Sequence, residues 1–383
     1  MLIQTLQYLV IFCFSVPLFV FGSYGLILVY YNFNRKLSGN SDVKGECDLK
    51  VSVITPSHNE SSIISKKIEN LLATNYSKDK LEIIFVDDSN DSTSDIIREY
   101  TKKYSNIRLI TFDKRMGYSP SMLAGVKAST GEIVILSDAG SFHDADTIGN
   151  LVRHFCDPKI GAVTGKDVIL NVDESVGSSE DLYMKFLDYV RTAETNMDST
   201  FYFKGEASAA RKSLITDFEG CSATFDTATA LFIRQKGFKT IFDPEAKFYE
   251  YAPKTRDERI KQKTIRAANW IKILFQFKGM AFRTRYGKFG LLTVPANFGM
   301  LVLTPLAILA GLISLIALTI FNPIFSLFIW VFLGLASLIS FVISRNLLST
   351  FIDLEVSLLK ALFEIAFTKT KHDQIDTVQS TRR

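Results

Sequence analysis

Two long stretches of this chain carry no charge, and they constrain its fold more than any other feature. Leu6 to Tyr31 contains no charged side chain, a run longer than the ~20 apolar residues that cross a bilayer core. A second uncharged run extends from Phe289 to Ser344, interrupted near Asn322 and Pro323. It reads as two helices joined by a very short turn. A cleaved leader is the alternative for the first run, but the run is too long, no basic segment precedes it and no small-residue cleavage site follows. Residues 1–36 are therefore expected to hold an N-terminal transmembrane helix, and residues 289–344 two more. The first of that pair, entered through Pro295 and Asn297, is longer than one span requires, so it tilts or begins in the interface.

Arg35 and Lys36 follow the first run, Lys278, Arg283, Arg285 and Lys288 precede the second, and Arg345 follows it. The turn between the paired helices carries no charge. The positive-inside rule then predicts an integral membrane protein whose central domain is cytoplasmic. In residues 346–367, Asn346, Ser349, Asp353, Ser357, Lys360 and Glu364 recur every three or four positions, while the other face is Leu, Ile, Phe and Val apart from Glu355. This pattern predicts an amphipathic helix in the cytoplasmic interface. A further crossing with its polar stripe turned to a channel is the alternative. The polar tail, residues 368–383, is expected to be disordered.

The average hydrophobic content of 47% and the 31 Phe are thus a mean over unlike parts. Lys and Arg number 44 against 40 Asp and Glu, a balance that argues against a nucleic-acid partner. Cys13, Cys47, Cys156 and Cys221 show no metal-ligand spacing and are expected to be reduced.

Residues 49–277 alternate short β-branched runs with helical patterns, as in a mostly parallel α/β sheet. Strands are expected at Val51–Thr55, Leu81–Val86, Ile107–Thr111 and Ile133–Leu136. Helices are expected at Ile63–Leu72, Thr93–Tyr104 and Ser121–Ala128. In such sheets ligands bind beyond the carboxyl ends of the strands. The loops there hold Pro56 to Glu60, Asp87 to Thr93 and Asp138-Ala139-Gly140. Asp91 and Ser92 read as helix caps. Asp87 and Asp88 do not, because adjacent carboxylates after a buried strand repel one another; a metal, a base edge or a sugar is the expected partner. Asp138 is a hard oxygen ligand suited to Mg²⁺ or Mn²⁺ against a diphosphate. Asp144 and Asp146 resemble a ligand pair but precede a helical pattern, so capping is their expected role.

Several segments in order resemble the membrane-bound family-2 glycosyltransferases. They are Val53 to Glu60 (VITPSHNE), Val86 to Thr93 (VDDSNDST), Gly131 to Ala139 (GEIVILSDA), Asp157 to Gly165 (DPKIGAVTG), Phe225-Asp226 and Pro244 to Glu250 (PEAKFYE). The resemblance implies a GT-A nucleotide-sugar-binding fold over residues 49–277. It also implies a hexosyltransferase-type enzyme performing inverting transfer from a nucleotide diphosphate sugar, usually UDP-linked. Asp226 matches the general base; its other reading is a cap for a helix Ala228–Gln235. Asp138 matches the metal ligand for Mg²⁺ or Mn²⁺, and Arg266 the pyrophosphate-binding arginine. Arg259 and Lys263 share its helical face, as pyrophosphate ligands or as a basic face toward the membrane. Lys114 and Arg115 stand near the donor, Asp87 and Asp88 on the uracil and ribose, and Pro56 and Glu60 around the base pocket.

Three departures accompany the match. Gly140 replaces the second acid of the D-x-D motif. Tyr118 stands where a lysine is common. Gln262 and Trp270 lie four positions either side of Arg266 rather than in Q-x-x-R-W spacing, which weighs against processive synthesis. Helical spacing still puts Gln262, Arg266 and Trp270 on one face, with Trp270 either stacked on an acceptor sugar or packed in the domain. The segments Tyr183–Phe203 and Gly205–Arg211 are further acceptor candidates by family position alone. The expected acceptor is a lipid-linked glycan or polysaccharide. A processive polysaccharide synthase is the first alternative, and a weakly catalytic sugar-nucleotide sensor or membrane scaffold the second.

Overall fold

The computed structural model describes residues 1–38, 47–218, 224–343 and 345–367. The tail 368–383 and Cys221 lie outside the described residues. Helix α1 (Leu2–Ser38) leads to a domain in which β1 (Val51–Ser57), α2 (Ile64–Leu72), β2 (Leu81–Asp87), α3 (Thr93–Lys103), β3 (Ile107–Thr111), α4 (Tyr118–Ala128) and β4 (Ile133–Leu136) alternate. These four strands are parallel neighbours; Ser57 pairs with Asp87 and Asp87 with Thr111, so β1, β2 and β3 end level, while β4 ends at Leu136 opposite Ile54. β5 (Phe142–His143) and α5 (Thr147–Val152) follow. Then come β6 (Ile160–Ile169), α6 (Ser175–Met197), β7 (Ser208–Arg211), α7 (Phe225–Gln235), β8 (Lys239–Glu250) and α8 (Arg256–Gln276).

One sheet of order β3-β2-β1-β4-β7-β6-β8-β5 results, parallel in its first half. In the second half β7 runs antiparallel to both β4 and β6, and β5 antiparallel to β8. The sheet is buried on both faces. Val53, Ile83 and Phe85 enter one core and Ile54, Ile84 and Val86 the other, the alternation that a pleated strand imposes.

Among the described residues three helices are long and apolar enough to cross a membrane: Leu2–Asn34, Phe289–Phe321 and Pro323–Val342. The second contains α9 (Val294–Phe298) and α10 (Thr304–Phe321) with π-helical turns at Phe289–Thr293 and Gly299–Leu303. Asn322 ends it, and α11 (Pro323–Ile343) starts on Pro323, whose missing N–H costs nothing in a first turn. Gly299 and Gly311 face α1. A Cβ on Gly299 would sit 2.9 Å from Val20 and one on Gly311 3.0 Å from Cys13, so the absent side chains let the two helices approach closely.

Polar contacts join these helices to the sheet domain. The Tyr24 hydroxyl donates to Glu194 Oε1 at 2.7 Å, and Glu194 Oε2 accepts from Thr200 Oγ1 at 2.8 Å and from the Phe201 N–H at 3.0 Å. The Tyr202 hydroxyl donates to Asn297 Oδ1 at 2.5 Å.

Helix α12 (Arg345–Phe367) lies on α8 and α6. Part of its polar stripe meets the domain: Asp353 and Ser357 are buried, while Lys360 is exposed. Asp353, 2% exposed, accepts from Arg256 Nη2 at 2.6 Å and from Arg259 Nη1 at 2.8 Å, and Asn346 donates to Ser178 Oγ at 2.9 Å. Phe351, Ile352, Phe363 and Phe367 remain exposed on the other side. Asp353→Ala should therefore lower stability by about 1–3 kcal/mol, because Arg259 loses one of two acidic partners in a buried setting while Arg256 is mostly solvated. Thermal melting of the detergent-solubilised chain measures this, and an unchanged melting temperature would count against the clamp.

One cysteine expectation is corrected. Cys47 and Cys156 are joined as a disulfide, with a Cα–Cα distance of 5.6 Å, while Cys13 is free and buried. Their sequence separation of 109 hid this contact, because only the fold brings the segment before β1 beside the turn after α5.

Candidate active site

The level ends of β1 and β2 are zipped together by side chains. Asp87, 1% exposed, accepts from Ser57 Oγ at 2.5 Å and Ser89 Oγ at 2.7 Å, and also from Ser94 Oγ. Asp88 Oδ1 lies 2.8 Å from His58 Nδ1, and its Oδ2 accepts the Met116 N–H at 2.7 Å. The sequence argument that this pair needs an external partner is thus corrected. Successive strand residues face opposite ways, so the two carboxylates diverge, and serine hydroxyls, an imidazole and a backbone N–H solvate them. His58 was legible only as part of the loop Pro56 to Glu60, with no role of its own. Asn59, at φ 55°, receives its own support: its N–H donates to Ser89 Oγ at 2.7 Å. The Glu60 N–H donates to Thr93 Oγ1 at 2.9 Å, which fixes the turn after Pro56.

Capping is redistributed. Ser92 holds the N-cap position of α3 without a side-chain cap, and Asp91 accepts the Thr93 N–H at 3.0 Å. Asp146 likewise precedes α5 without capping it; it accepts from Asn75 Nδ2 at 2.6 Å, while Asp144 accepts the Asp146 N–H at 3.3 Å and the Tyr249 hydroxyl at 3.1 Å.

Beyond β4, Asp138 sits over a buried network. Lys67 Nζ donates to Ser137 Oγ at 2.7 Å and to the Ser141 carbonyl at 2.6 Å, and Ser141 Oγ donates to the Asp138 carbonyl at 3.1 Å. His143 Nε2 lies 2.8 Å from the Glu206 carbonyl; burial, then the Lys67 charge, push its pKa down to about 3 and keep the ring neutral. The network holds the Asp138 turn and the Glu206 backbone together.

Asp226 comes to the same place from α7. The helix starts earlier than expected, at Phe225 with Thr224 as N-cap, so Asp226 lies in the first turn and is not the cap. The Thr227 N–H donates to Asp226 Oδ1 at 2.7 Å. Burial raises the carboxyl pKa to about 6; that N–H and Lys204 oppose the rise and Glu206 adds to it. Tyr118 completes the group. Gly117, at φ 84°, turns the chain into α4, and the Tyr118 hydroxyl donates to Asp138 Oδ1 at 3.0 Å. Burial, then Asp138, Asp226 and Glu206, push the phenol well above its usual pKa.

Of the α8 cations, Arg266 faces this site, with Nη2 3.9 Å from Glu206 Oε1 and a side chain 32% exposed. Arg259 and Lys263 do not. Both are buried, Arg259 Nε 2.9 Å and Lys263 Nζ 3.0 Å from Glu180 Oε2, so neither is a pyrophosphate ligand nor a membrane-facing charge. Gln262 is half-buried, and Trp270 packs edge-on against Tyr202 with centroids 4.9 Å apart. Lys114 and Arg115 are exposed in the loop that Asp88 tethers through Met116. Glu206, the acid common to Asp226, Tyr118 and Arg266, was legible only as part of a segment.

Among the described residues no group of three or more His, Cys, Asp or Glu side chains could hold a metal unaided. Mg²⁺ and Mn²⁺ are commonly held by one or two carboxylates plus substrate phosphates. The single strand-end carboxylate of Asp138 fits an ion shared with a diphosphate.

Residues 52–242 match the sequence model of Glycosyl transferase family 2. The probable glycosyltransferase YdaM of Bacillus subtilis is 27% identical over 62% of this chain, and the poly-β-1,6-N-acetyl-D-glucosamine synthase of Staphylococcus aureus 23% over 61%. In each case the match spans 59% of the relative's own length. Among solved structures, a mannosyltransferase from Pyrobaculum calidifontis in complex with GDP-Man and Mn²⁺ has the same fold. Its TM-score is 0.75 at 22% identity, covering 94% of this chain and 100% of that one. The chain belongs to glycosyltransferase family 2, with a GT-A-type domain flanked by apolar helices.

Proposed function

We propose that this glycosyltransferase is inverting and moves a sugar from a nucleoside diphosphate sugar, UDP-linked by motif, to a membrane-associated acceptor such as a lipid-linked glycan. The observation that carries this is the meeting of Asp226, Asp138 and Arg266 around Glu206 and Tyr118. Asp226 takes the acceptor hydroxyl's proton as that oxygen attacks the anomeric carbon. Arg266 meets the charge on the departing diphosphate. A divalent ion on Asp138 would neutralise the same diphosphate. Asp88 holds the nucleoside, with Asp87 fixing the strand end behind it, and Pro56, Glu60, Lys114 and Arg115 line the donor side. GDP-mannose and Mn²⁺ in the similar mannosyltransferase bring a GDP-linked donor and Mn²⁺ into consideration here.

The membrane reading rests on the three apolar helices, and the basic residues flanking them support a catalytic domain on the cytoplasmic side. In this reading helix α12 lies in the interface, which the burial of Asp353 and Ser357 against the domain and its open apolar side support. The polysaccharide synthases among the relatives favour a second reading, processive polymer export. Product length separates the two: single-sugar addition by purified protein supports the first reading, and high-molecular-weight polymer overturns it.

A pH profile gives a further test. Asp226 must be ionised to accept a proton, so kcat/KM should rise about tenfold per pH unit below about 6 and level off above it. Glu206→Gln should move the inflection to lower pH, since it removes a repelling charge. A profile flat from pH 5 to 8 would contradict the assignment of the base.

A further inference from the structure

Tyr118 occupies the centre of the site, and neither the capping of α4 nor the chemistry assigned above uses it. Its hydroxyl donates to Asp138 Oδ1 at 3.0 Å. The same oxygen occupies the space over Gly205, in the turn before β7, that a side chain there would need. A Cβ built on Gly205 would fall inside van der Waals contact of the Tyr118 hydroxyl oxygen, with the ring carbon Cζ next at 3.5 Å and Asp226 Oδ2 at 3.7 Å. A single point above Gly205 is therefore bordered by the phenol and by the base, and the phenol reaches from there to the metal-side acid. The ring sits on the first residue of α4, behind Gly117 at φ 84°, so its place is set by backbone and not by a flexible stem.

We propose that Tyr118 is a positioning residue of the transfer site, holding Asp138 in its ligand orientation at a fixed separation from Asp226, and that Gly205 lacks a side chain to admit the phenol. The proposal rests on the reading of Asp138 as the ligand of a divalent ion. It gives physical content to two departures from the family pattern, since a hydrogen-bonded phenol stands where a lysine is common and Gly140 supplies no second acid. One carboxylate left to hold an ion alone gains most from being fixed in place.

The test uses the full-length chain in detergent, with Mn²⁺ binding followed by electron paramagnetic resonance in the presence of UDP or GDP, alongside thermal melting. Tyr118→Phe keeps the ring and removes only the donor. It should weaken Mn²⁺ binding by about fivefold, the scale of one hydrogen bond, with little change in melting temperature. Gly205→Ala should lower the melting temperature and weaken Mn²⁺ binding in the native background. In the Tyr118→Phe background the melting loss should largely vanish, because the added methyl then meets Cζ at 3.5 Å and Asp226 Oδ2 at 3.7 Å, both ordinary contact distances.

Unchanged or tighter Mn²⁺ binding by Tyr118→Phe would overturn the positioning role. Equal melting losses from Gly205→Ala in both backgrounds would overturn the packing that supports it. Absence of Mn²⁺ binding by the native chain with either nucleotide would overturn the reading of Asp138 itself, and the proposal with it.

Discussion

Asp226→Asn should cut sugar transfer by about 10²- to 10⁴-fold, the range in which a positioned general base acts, while leaving nucleotide affinity close to native. The amide is nearly isosteric and can still accept the Thr227 N–H that now reaches Asp226 Oδ1 at 2.7 Å. What it loses is the ability to take a proton. The native carboxyl has a pKa raised to about 6, chiefly by burial, which leaves it ionised at neutral pH yet more basic than an exposed aspartate. Calorimetry of nucleotide binding beside turnover separates the two effects. Equal turnover by both proteins would remove Asp226 from the chemistry.

Arg266→Ala should lower kcat by about 10²- to 10³-fold, the effect of removing one preorganised donor from developing negative charge. The contrast with its helix neighbours makes this specific. Arg259 and Lys263 are spent on Glu180, and Arg259 also on Asp353, so their loss should appear in melting temperature. Arg266 instead keeps a partly exposed side chain, with Nη2 3.9 Å from Glu206 Oε1. Arg266→Lys should recover only part of the rate, because an ammonium cannot grip a phosphate with two parallel donors. Steady-state kinetics across the four variants checks the division. A kcat loss for Arg259→Ala as large as for Arg266→Ala would break it.

The parts of this molecule governed by local pattern were legible in the sequence. β3 and β4 fall on the expected residues, Ile107–Thr111 and Ile133–Leu136, and the break at Asn322-Pro323 divides the paired apolar helices. Alternation and uncharged runs leave their mark within a dozen residues, and burial of a continuous strand permits few alternatives. What failed depends on which face meets which partner. The stripe from Asn346 to Glu364 was visible, but spacing along one helix does not reveal that Asp353 meets Arg256 and Arg259 of α8. Arg259 and Lys263 were grouped with Arg266 by helical spacing alone, and only Glu180, on another helix, tells them apart. Asp87 called for a ligand because one serine that satisfies it, Ser57, lies on another strand, and because Ser89 and Ser94 reach it only once the chain turns back into α3. Tyr118 stood out as a departure, yet its contact with Asp138 required the turn at Gly117 to be seen.

We propose that this site breaks a nucleotide sugar and passes the sugar to an acceptor in the bilayer. The most direct test is a panel of UDP- and GDP-linked sugars presented to membranes carrying the native chain or Asp226→Asn, read by the nucleoside diphosphate released and by partition of labelled sugar into the lipid phase. Release from one donor with lipid-soluble product, lost in the variant, is the expected result. No release from any donor, or equal release by both proteins, would contradict it.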